Sequence, residues 1–343
     1  MTVRIGVIGC GAVTYHCHLP ALARVADARV VALADHDPVA LERARARAPS
    51  ASLLTVDALM QDGQVDAVLI ATPTDAHAEM ATRVARAGKH LYLEKPIATS
   101  AAQAADLRAI VAHHGVHAAV GFNRRQHPIY RRARACLRDG LIGHVHAVHS
   151  VFAEPVATAA MPIWKQTRAT GGGVLLDLAS HHIDLVRWLL DQEVDMVTAR
   201  AESRESEHDV ATMTLAMRDG TPVQGYYAFR SALADTIELH GECGVLRMDR
   251  HRHTITHATH RRFGYGTREA RVPLGISWRE RWRRLARPSE DPSYEAAWRA
   301  FVSLITGRPT EIASMDDGLA SLHVVLAAEA SALAGSPMRM TPR

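Results

Sequence analysis

The pattern of apolar and polar positions divides the chain into two halves of different style. In the first half, short apolar runs alternate with segments of helical periodicity, and these runs lie at 3–8, 29–34, 66–71, 90–93 and 116–122. Strands that alternate with crossover helices are typical of a doubly wound parallel sheet. The first half therefore predicts an α/β domain over residues 1–122 with six parallel strands, which are the five runs above and a third strand between the runs at 29–34 and 66–71.

After residue 122, consecutive strand-like segments with short connections replace the alternation, at 145–152, 196–201, 210–217, 221–229 and 236–248. Asp219-Gly220 and Cys243-Gly244 fall where hairpin turns would lie. The pattern predicts an α+β domain over 123–343 with a large, mostly antiparallel open sheet, closed by helices at 294–306 and 317–333. Such a sheet packs helices on one face and would leave the other face for a partner subunit.

A glycine turn follows the first strand directly. Gly9 and Gly11, with Ala12 and Val13 after them, give the order of strand, turn and helix that a dinucleotide fingerprint requires. Gly9 would make the tight turn, and Gly11 would let the backbone approach a pyrophosphate at the helix N-terminus. Thr14 stands where the third glycine would be, so we expect the helix to lie slightly farther from the sheet.

A carboxylate ends the second strand. Asp35 lies at a distance from the glycines that suits hydrogen bonds to the ribose hydroxyls of adenosine. The alternative role, a helix cap, fits Asp37 before Pro38 better. Because no Arg follows Asp35 at once, the sequence favours NAD over NADP, although Arg43 and Arg45 on the next helix keep NADP open.

Glu94, Lys95 and Pro96 end the fifth strand. Ligands of open α/β sheets bind just beyond the carboxyl ends of the strands, so these residues fall where a cofactor would lie. The chain has 40 basic residues but only three lysines, which are Lys89, Lys95 and Lys165. Lys, unlike Arg, can shift its pKa and take part in proton transfer. The alternative is a solvated lysine beside a proline that ends the strand.

A second group of polar residues follows Gly171-Gly-Gly173. The apolar spacing after these glycines predicts a helix with one buried face, and Asp177 and His181 project from one side of it, a turn apart. A carboxylate beside an imidazole fixes its tautomer and raises its basicity. His182 is the less suitable partner for Asp177, whereas Asp184 could also reach His181. The alternative is a first-turn Asp at the helix dipole and a surface His.

Composition narrows the class of protein. The 343 residues are 48% hydrophobic, which allows two domains with sizeable cores. The net charge is only +4 and Arg residues are interspersed with acidic ones, so we expect no nucleic-acid partner. The four cysteines form no C-x-x-C pair, which argues against a disulfide framework or a zinc site. A strand begins too early for a signal peptide and no apolar run looks long enough to cross a bilayer, so we expect a cytoplasmic protein.

The stretch after residue 250 is rich in His and Arg. Its histidines, at 251, 253, 257 and 260, have no interleaved Cys or carboxylate, so we predict a solvated strand or loop and no metal site. The basic run at 279–287 predicts an exposed helix face or an interface rather than a polyanion site.

Taken together, the motifs resemble one known family. The chain is similar, over nearly its full length, to the glucose–fructose oxidoreductase / inositol dehydrogenase / rhizopine-catabolism (Gfo/Idh/MocA) family of NAD(P)-dependent oxidoreductases. The residues that carry the resemblance are Gly9-Cys-Gly11, Thr72-Pro73 with His77, Glu94-Lys95-Pro96, Gly121-Phe-Asn-Arg-Arg125, and Gly171-Gly-Gly173 with Asp177 and His181. The resemblance implies a Rossmann domain followed by an α/β domain whose open sheet often forms dimers or tetramers.

The resemblance also implies roles for single residues. Lys95 would touch the substrate near the nicotinamide, and His181 would accept a proton with Asp177 beside it. The predicted cofactor-binding residues are Gly9, Gly11, Ala12, Val13, Asp35, Thr72, Pro73, His77, Glu94, Lys95 and Pro96. The predicted substrate-binding residues are polar groups that suit several hydroxyls, and their cations could accept a phosphate or carboxylate. They are Lys95, Asn123, Arg124, His127, Lys165, Arg168, Asp177 and His181.

We therefore expect NAD-dependent oxidation of a secondary hydroxyl of a cyclitol or sugar, with His181 as base and Lys95 and Asp177 assisting. Three alternatives stay open. The first is NAD(P)H-dependent reduction of a ketosugar in a biosynthetic pathway, and the second is glycoside cleavage assisted by tightly held NAD. The third, a non-catalytic ligand sensor, would be expected to lack the lysine or the histidine, and both are present.

Overall fold

The computed structural model of the chain describes residues 2–260, 267–276, 282 and 290–341. The described residues fall into two compact units, Met1–His127 with Arg287–Ala320 and Pro128–Ala286 with Ser321–Arg343. The predicted basic run at 279–287 lies outside the described residues apart from Trp282, and so does the side chain of His260.

A six-stranded parallel sheet forms the centre of the first unit, with strand order β3-β2-β1-β4-β5-β6. The strands are β1 (Val3–Ile8), β2 (Ala28–Ala34), β3 (Ser52–Leu53), β4 (Ala67–Ile70), β5 (His90–Leu93) and β6 (Ala118–Val120). The helices are α1 (Leu19–Leu22), which a π-helical turn (Thr14–His18) precedes, α2 (Pro38–Arg45), α3 (Val56–Gln61), α4 (His77–Arg86) and α5 (Ala101–His114). The doubly wound sheet that the sequence predicts is confirmed.

Local signals set the bounds of these helices. Asp37 accepts the N–H of Val39 at 2.9 Å and Pro38 follows it, so α2 begins with a capped first turn. Ser100 caps α5 in the same way. Gly115 ends α5 with φ +62°, a conformation that favours glycine.

The second unit is built on a sheet of nine described strands in the order β14-β13-β12-β11-β7-β10-β9-β8-β15. They are β7 (Val145–Glu154), β8 (Val194–Glu202), β9 (Val210–Met217), β10 (Pro222–Phe229), β11 (Ala234–Gly241), β12 (Gly244–Asp249), β13 (Thr254–His260), β14 (Thr267–Arg271) and β15 (Met338–Arg339). The helices are α6 (Pro128–Arg138), α7 (Ile163–Gln166) and α8 (Ser180–Leu190). Among the pairings, only that of β7 with β10 is parallel, which confirms a mostly antiparallel sheet in this part of the chain.

Helix α9 (Pro292–Ile305) belongs to the first unit. Trp298 and Phe301 on this helix are fully buried, and the Trp298 ring stacks on Tyr92 of β5 with centroids 4.7 Å apart. This placement differs from the predicted division at residue 122, in which every later helix belonged to the second domain. The reason is that the aromatic face of α9 completes the core beside the parallel sheet.

Helix α10 (Met315–Ala334) begins in the first unit and ends in the second. Among the described residues it is the one helix long and apolar enough to cross a membrane by length and composition, so the prediction that no run has that length is wrong. Half of its most apolar stretch is buried inside the protein, and a buried core helix can have the same length and apolar composition. Within the described ranges, no group of three or more His, Cys, Asp or Glu side chains is placed to hold a metal ion.

Candidate active site

The glycine turn lies at the carboxyl end of β1. Gly9 has φ +94°, and a Cβ there would stand 2.5 Å from the carbonyl oxygen of Ala71, so only glycine fits. A Cβ on Gly11 would meet nothing within 4 Å, which leaves open space beside the turn. Thr14 is fully buried and its hydroxyl donates to the Gly9 carbonyl at 2.6 Å. The residue that departs from the glycine pattern therefore closes the turn from inside.

Asp35 lies against the same turn. Its Oδ2 accepts the N–H of Cys10 at 2.5 Å, and its Oδ1 accepts the N–H of Asp37 at 2.8 Å. Asp37 itself caps α2, so the two roles that the sequence distributes between these carboxylates are separate in the structure. Burial, with Asp35 nearby, raises the pKa of the Cys10 thiol to about 12. Cys10 is therefore a packing residue of the turn and not a nucleophile.

His77 joins the ends of β4 and β5. The side chain is buried, with Nδ1 2.6 Å from the carbonyl oxygen of Pro96 and Nε2 2.9 Å from that of Thr72. Burial lowers the pKa of this imidazole. The ring lies between two main-chain oxygens, and with a single N–H it donates to one of them. We expect His77 to serve the cofactor site by packing between the two loops.

Glu94 and Lys95 follow β5 directly. Glu94 is buried, and its Oε1 lies 2.9 Å from Nε2 of His18, while its Oε2 accepts the N–H of Lys95 at 3.2 Å. Lys95 is half-buried. The indole N–H of Trp298 donates to Nδ1 of His18 at 3.1 Å. The sequence reasoning missed His18 and Trp298, because no local pattern links residues so far apart in the chain.

These residues of the first unit fit a dinucleotide. The space beside Gly11 can admit a pyrophosphate, and the carboxylate of Asp35 is an acceptor that suits hydroxyl donors. The hydroxyl oxygen of Thr72 is buried and has no hydrogen-bond partner among the described residues, so it is available to a ligand. Pro73 begins the short helical turn that leads to His77.

The second group of predicted residues surrounds the start of α8. A π-helical turn (Leu175–Ala179) precedes α8 and carries Asp177, whose Oδ2 forms an ion pair with Nζ of Lys165 at 2.8 Å. His181 is half-buried in the first turn of α8. The structure thus brings Lys165 and Asp177 together, whereas the orientation of His181 by Asp177 stays a prediction.

The glycines before this helix make room for the main chain. A Cβ on Gly172 would stand 2.2 Å from the carbonyl oxygen of Lys165 and 2.8 Å from that of Thr167. Gly173 has φ +92°. We predict from the sequence that the glycines let the helix start close to something bulky, and in the structure this is the loop that carries Lys165.

His182 occupies a buried polar network that the sequence reasoning missed. Its Nδ1 lies 2.8 Å from the hydroxyl of Ser150, and its Nε2 lies 3.1 Å from Oδ1 of Asp235, with His182 and Asp235 both fully buried. Tyr130 donates to the same carboxylate oxygen at 3.2 Å, and Arg250 donates to the other at 2.5 Å. The network fastens the helix that carries the neighbouring His181 to β7 and β11.

The remaining predicted substrate residues lie in both units. Asn123, Arg124 and His127, in and after a short 3₁₀ turn that follows β6, are buried in the first unit, and the Asn123 amide donates to the hydroxyl of Ser293 at 2.7 Å. In the second unit, Arg168 donates through Nη2 to Glu329 at 2.8 Å. Their contact with a substrate stays a prediction.

Comparison with known proteins gives consistent matches. A model described as an oxidoreductase family with an NAD-binding Rossmann fold matches residues 3–122, and the C-terminal domain model of GFO/IDH/MocA proteins matches residues 130–247. The chain is 33% identical to inositol 2-dehydrogenase of Rhizobium meliloti over 339 residues, which cover 96% of each chain. It is 30% identical to a dTDP-3,4-didehydro-2,6-dideoxy-alpha-D-glucose 3-reductase of Actinomadura kijaniata over 72% of this chain and 75% of that one.

A solved structure extends the similarity to the fold. A Sinorhizobium meliloti protein, provisionally assigned as a myo-inositol dehydrogenase, superposes with a TM-score of 0.81 and 29% identity. The match covers 99% of this chain and 100% of that one.

Proposed function

The chain belongs to the Gfo/Idh/MocA family of oxidoreductases with an NAD-binding Rossmann fold, and we propose that it oxidises a secondary hydroxyl of a cyclitol or sugar with NAD. The similarity to an inositol 2-dehydrogenase over 96% of both chains supports this substrate class. We propose a cytoplasmic location for the reaction, as for a soluble metabolic substrate.

The observation that carries the proposal is the placement of Lys95. It follows β5 at the carboxyl edge of the parallel sheet, and its neighbour Pro96 is joined through His77 to the loop of Thr72. That loop packs in turn on Gly9. Lys95 therefore follows a strand end on the same edge as the glycine turn, where the cofactor of an open α/β sheet binds.

NAD, when bound, supplies the hydride acceptor. Gly9 and Gly11 would bind its pyrophosphate through the main chain, and Asp35 would accept hydrogen bonds from the ribose hydroxyls. A carboxylate at this position repels a 2′-phosphate, which favours NAD over NADP.

The chain's own groups would handle the proton of the substrate hydroxyl. His181 accepts this proton, and Asp177 orients the imidazole. Lys95 donates a hydrogen bond to the same oxygen and stabilises the charge that develops on it. The ammonium of Lys165, 2.8 Å from Asp177, favours the ionised form of that carboxylate. We propose Asn123, Arg124, His127, Lys165 and Arg168 as the groups that bind the other hydroxyls.

The test is a substrate panel of cyclitols, free sugars and sugar phosphates, scored by NADH absorbance with NAD and NADP in parallel. Once a substrate is found, His181→Ala should lower kcat about 10²–10⁴-fold, because a positioned base contributes that much. His113→Ala is the matched control, since this histidine is exposed at the end of α5 and should leave kcat unchanged. Normal turnover by His181→Ala would refute the assignment.

The reverse reaction is the second candidate, and the dTDP-sugar 3-reductase relative at 30% identity favours it. The same residues would then act in the opposite direction, with His181 donating its proton to a ketone oxygen. The test uses the ketones that correspond to the compounds of the panel, scored by loss of NADH or NADPH absorbance. The direction with the higher kcat/KM is then the favoured one.

We also propose that the open sheet of the second unit forms a homodimer or homotetramer. Thr198, Thr212 and Thr214 alternate with buried residues on β8 and β9, so this face of the sheet is exposed. Sedimentation equilibrium measures the assembly, and a monomer at micromolar concentration would contradict the proposal.

A further inference from the structure

Three buried side chains form a hydrogen-bonded series that ends at Glu94, the residue before Lys95. The indole N–H of Trp298 on α9 donates to Nδ1 of His18 at 3.1 Å, and Nε2 of His18 lies 2.9 Å from Oε1 of Glu94. The His18 side chain is fully buried among aromatic rings, with Tyr92, Tyr294 and Trp298 all edge-on to it. None of the predicted roles above uses His18 or Trp298.

The donors and acceptors in this hydrogen-bonded series determine which ring nitrogen of His18 carries the proton. An indole N–H can only donate, so Nδ1 of His18 must be an acceptor and carries no proton. The single proton of the neutral ring then lies on Nε2 and is donated to Glu94. Protonation of Nδ1 would set two N–H groups against each other at 3.1 Å. Trp298 therefore fixes the orientation of the His18 ring in which Nδ1 accepts and Nε2 donates to Glu94.

The second carboxylate oxygen of Glu94 links the series to the main chain of Lys95. Oε2 accepts the main-chain N–H of Lys95 at 3.2 Å. The carboxylate needs the space that Gly121 leaves, because a Cβ there would stand 2.8 Å from Oε1. Pro96, on the far side of Lys95, is held by His77 at 2.6 Å. Both neighbours of Lys95 are thus bound to buried histidines, one through its side chain and one through its carbonyl.

We propose that His18, oriented by Trp298, is a positioning residue for Lys95. His18 holds the Glu94 carboxylate in register with the Lys95 N–H, so that the lysine leaves the strand end in one direction. The proposal rests on the proposed function, in which Lys95 contacts the substrate. It adds a tryptophan and a histidine, from opposite ends of the chain, to the residues on which turnover depends.

The test uses three variants and one control. Trp298→Phe removes the indole donor, His18→Leu removes both hydrogen bonds, and His18→Gln keeps an amide donor for Glu94. Phe301→Leu is the matched control, because Phe301 packs on the same Trp298 and Tyr92 rings and has no hydrogen bond to lose. Trp298→Phe and His18→Gln keep the test informative if His18→Leu does not fold.

The first readout needs neither cofactor nor substrate. The chain has only three lysines, so acetylation by N-hydroxysuccinimide acetate can be followed at each one by peptide mass spectrometry. In Trp298→Phe and His18→Leu the acetylation rate of Lys95, relative to Lys165, should change about three- to tenfold, the equivalent of one hydrogen bond. Lys89, buried on the main chain of Asp62 and Val65, should stay slow and reports any general loosening.

The second readout is the division between kcat and KM. We expect kcat to fall about three- to tenfold in Trp298→Phe with the KM for NAD unchanged, and His18→Gln to lie between wild type and His18→Leu. The proposal is overturned if Lys95 acetylation stays at the wild-type rate in Trp298→Phe or in His18→Leu, or if Phe301→Leu or Lys89 shows the same change. If Lys95→Ala turned over normally, the proposed function would fail, yet the acetylation rates would still decide whether His18 positions Lys95.

Discussion

The two groups of candidate site residues are built by different means. In the first unit, main-chain geometry brings them together: Gly9 packs against the carbonyl of Ala71, and strand ends converge on one edge of the sheet. In the second unit, side-chain charges add to close main-chain packing at Gly172: Asp177 pairs with Lys165, and the buried network of His182 anchors the helix.

This difference predicts which substitutions should impair each group of site residues. A turn set by close main-chain contacts cannot accept an added Cβ, because the backbone cannot move without breaking the sheet. A site set by ion pairs depends on charge, because removing one partner leaves the other poorly compensated.

The largest expected effects come from two Gly→Ala substitutions, one in each group of site residues. Gly9→Ala forces a Cβ to within 2.5 Å of the Ala71 carbonyl at φ +94°, so NAD binding measured by calorimetry should be lost. Gly172→Ala forces a Cβ to within 2.2 Å of the Lys165 carbonyl, so kcat should fall while NAD binding is kept. Gly63→Ala, in open space, is the control for both.

If Gly172→Ala abolished NAD binding, or if Gly9→Ala kept it, the comparison between the two regions would not hold. Circular dichroism spectra of each variant separate these results from simple unfolding.

The next largest effect separates two carboxylates that lie two residues apart. Asp35→Ala should raise the KM for NAD about 10- to 100-fold with little change in kcat, since hydrogen bonds to a charged group are worth about 1.5–3 kcal/mol. The variant should also show a smaller ratio of the kcat/KM for NAD to the kcat/KM for NADP. Asp37→Ala, which removes only the cap of α2, should cost about 1 kcal/mol of unfolding free energy and leave the KM for NAD unchanged. Equal effects of the two variants on the KM would contradict the role of Asp35.

The smallest effect contrasts two lysines. Lys165→Met removes the ion pair with Asp177 and should lower kcat up to about fivefold, because a surface-accessible ion pair is worth about 1 kcal/mol or less. Lys89, whose pKa burial lowers, donates to the main-chain oxygens of Asp62 and Val65. Lys89→Met should therefore lower the Tm and spare kcat. A Lys165→Met enzyme with unchanged kcat would show that Asp177 does not need its cation.

Elements that depend on local periodicity could be predicted from the sequence. Most of the strands, the turn at Gly9 and the cap at Asp37 each depend on neighbours within a few residues, and the structure confirms them. The pattern gave no ranges for β3, β13, β14 and β15. The edge position of Lys95 follows from topology alone, because every parallel strand ends on the same side.

Contacts between distant segments could not be predicted. Trp298 lies far along the chain from His18, and its helix joins the first unit only because an aromatic face completes that core. Asp235 and His182 likewise meet through the pairing of β11 with β7, which no local pattern encodes. The sequence pointed to Asp177 as the partner of His181, whereas the ion pair with Lys165 requires the close packing at Gly172.

The central claim, that Lys95 and His181 act on one substrate oxygen, is tested most directly by a double-mutant cycle. kcat/KM is measured for wild type, Lys95→Ala, His181→Ala and the double variant on the best substrate of the panel. Residues that act as a unit give strongly non-additive losses, so the double variant should be about as slow as the slower single variant. Losses that multiply would place the two residues in independent roles and contradict the claim.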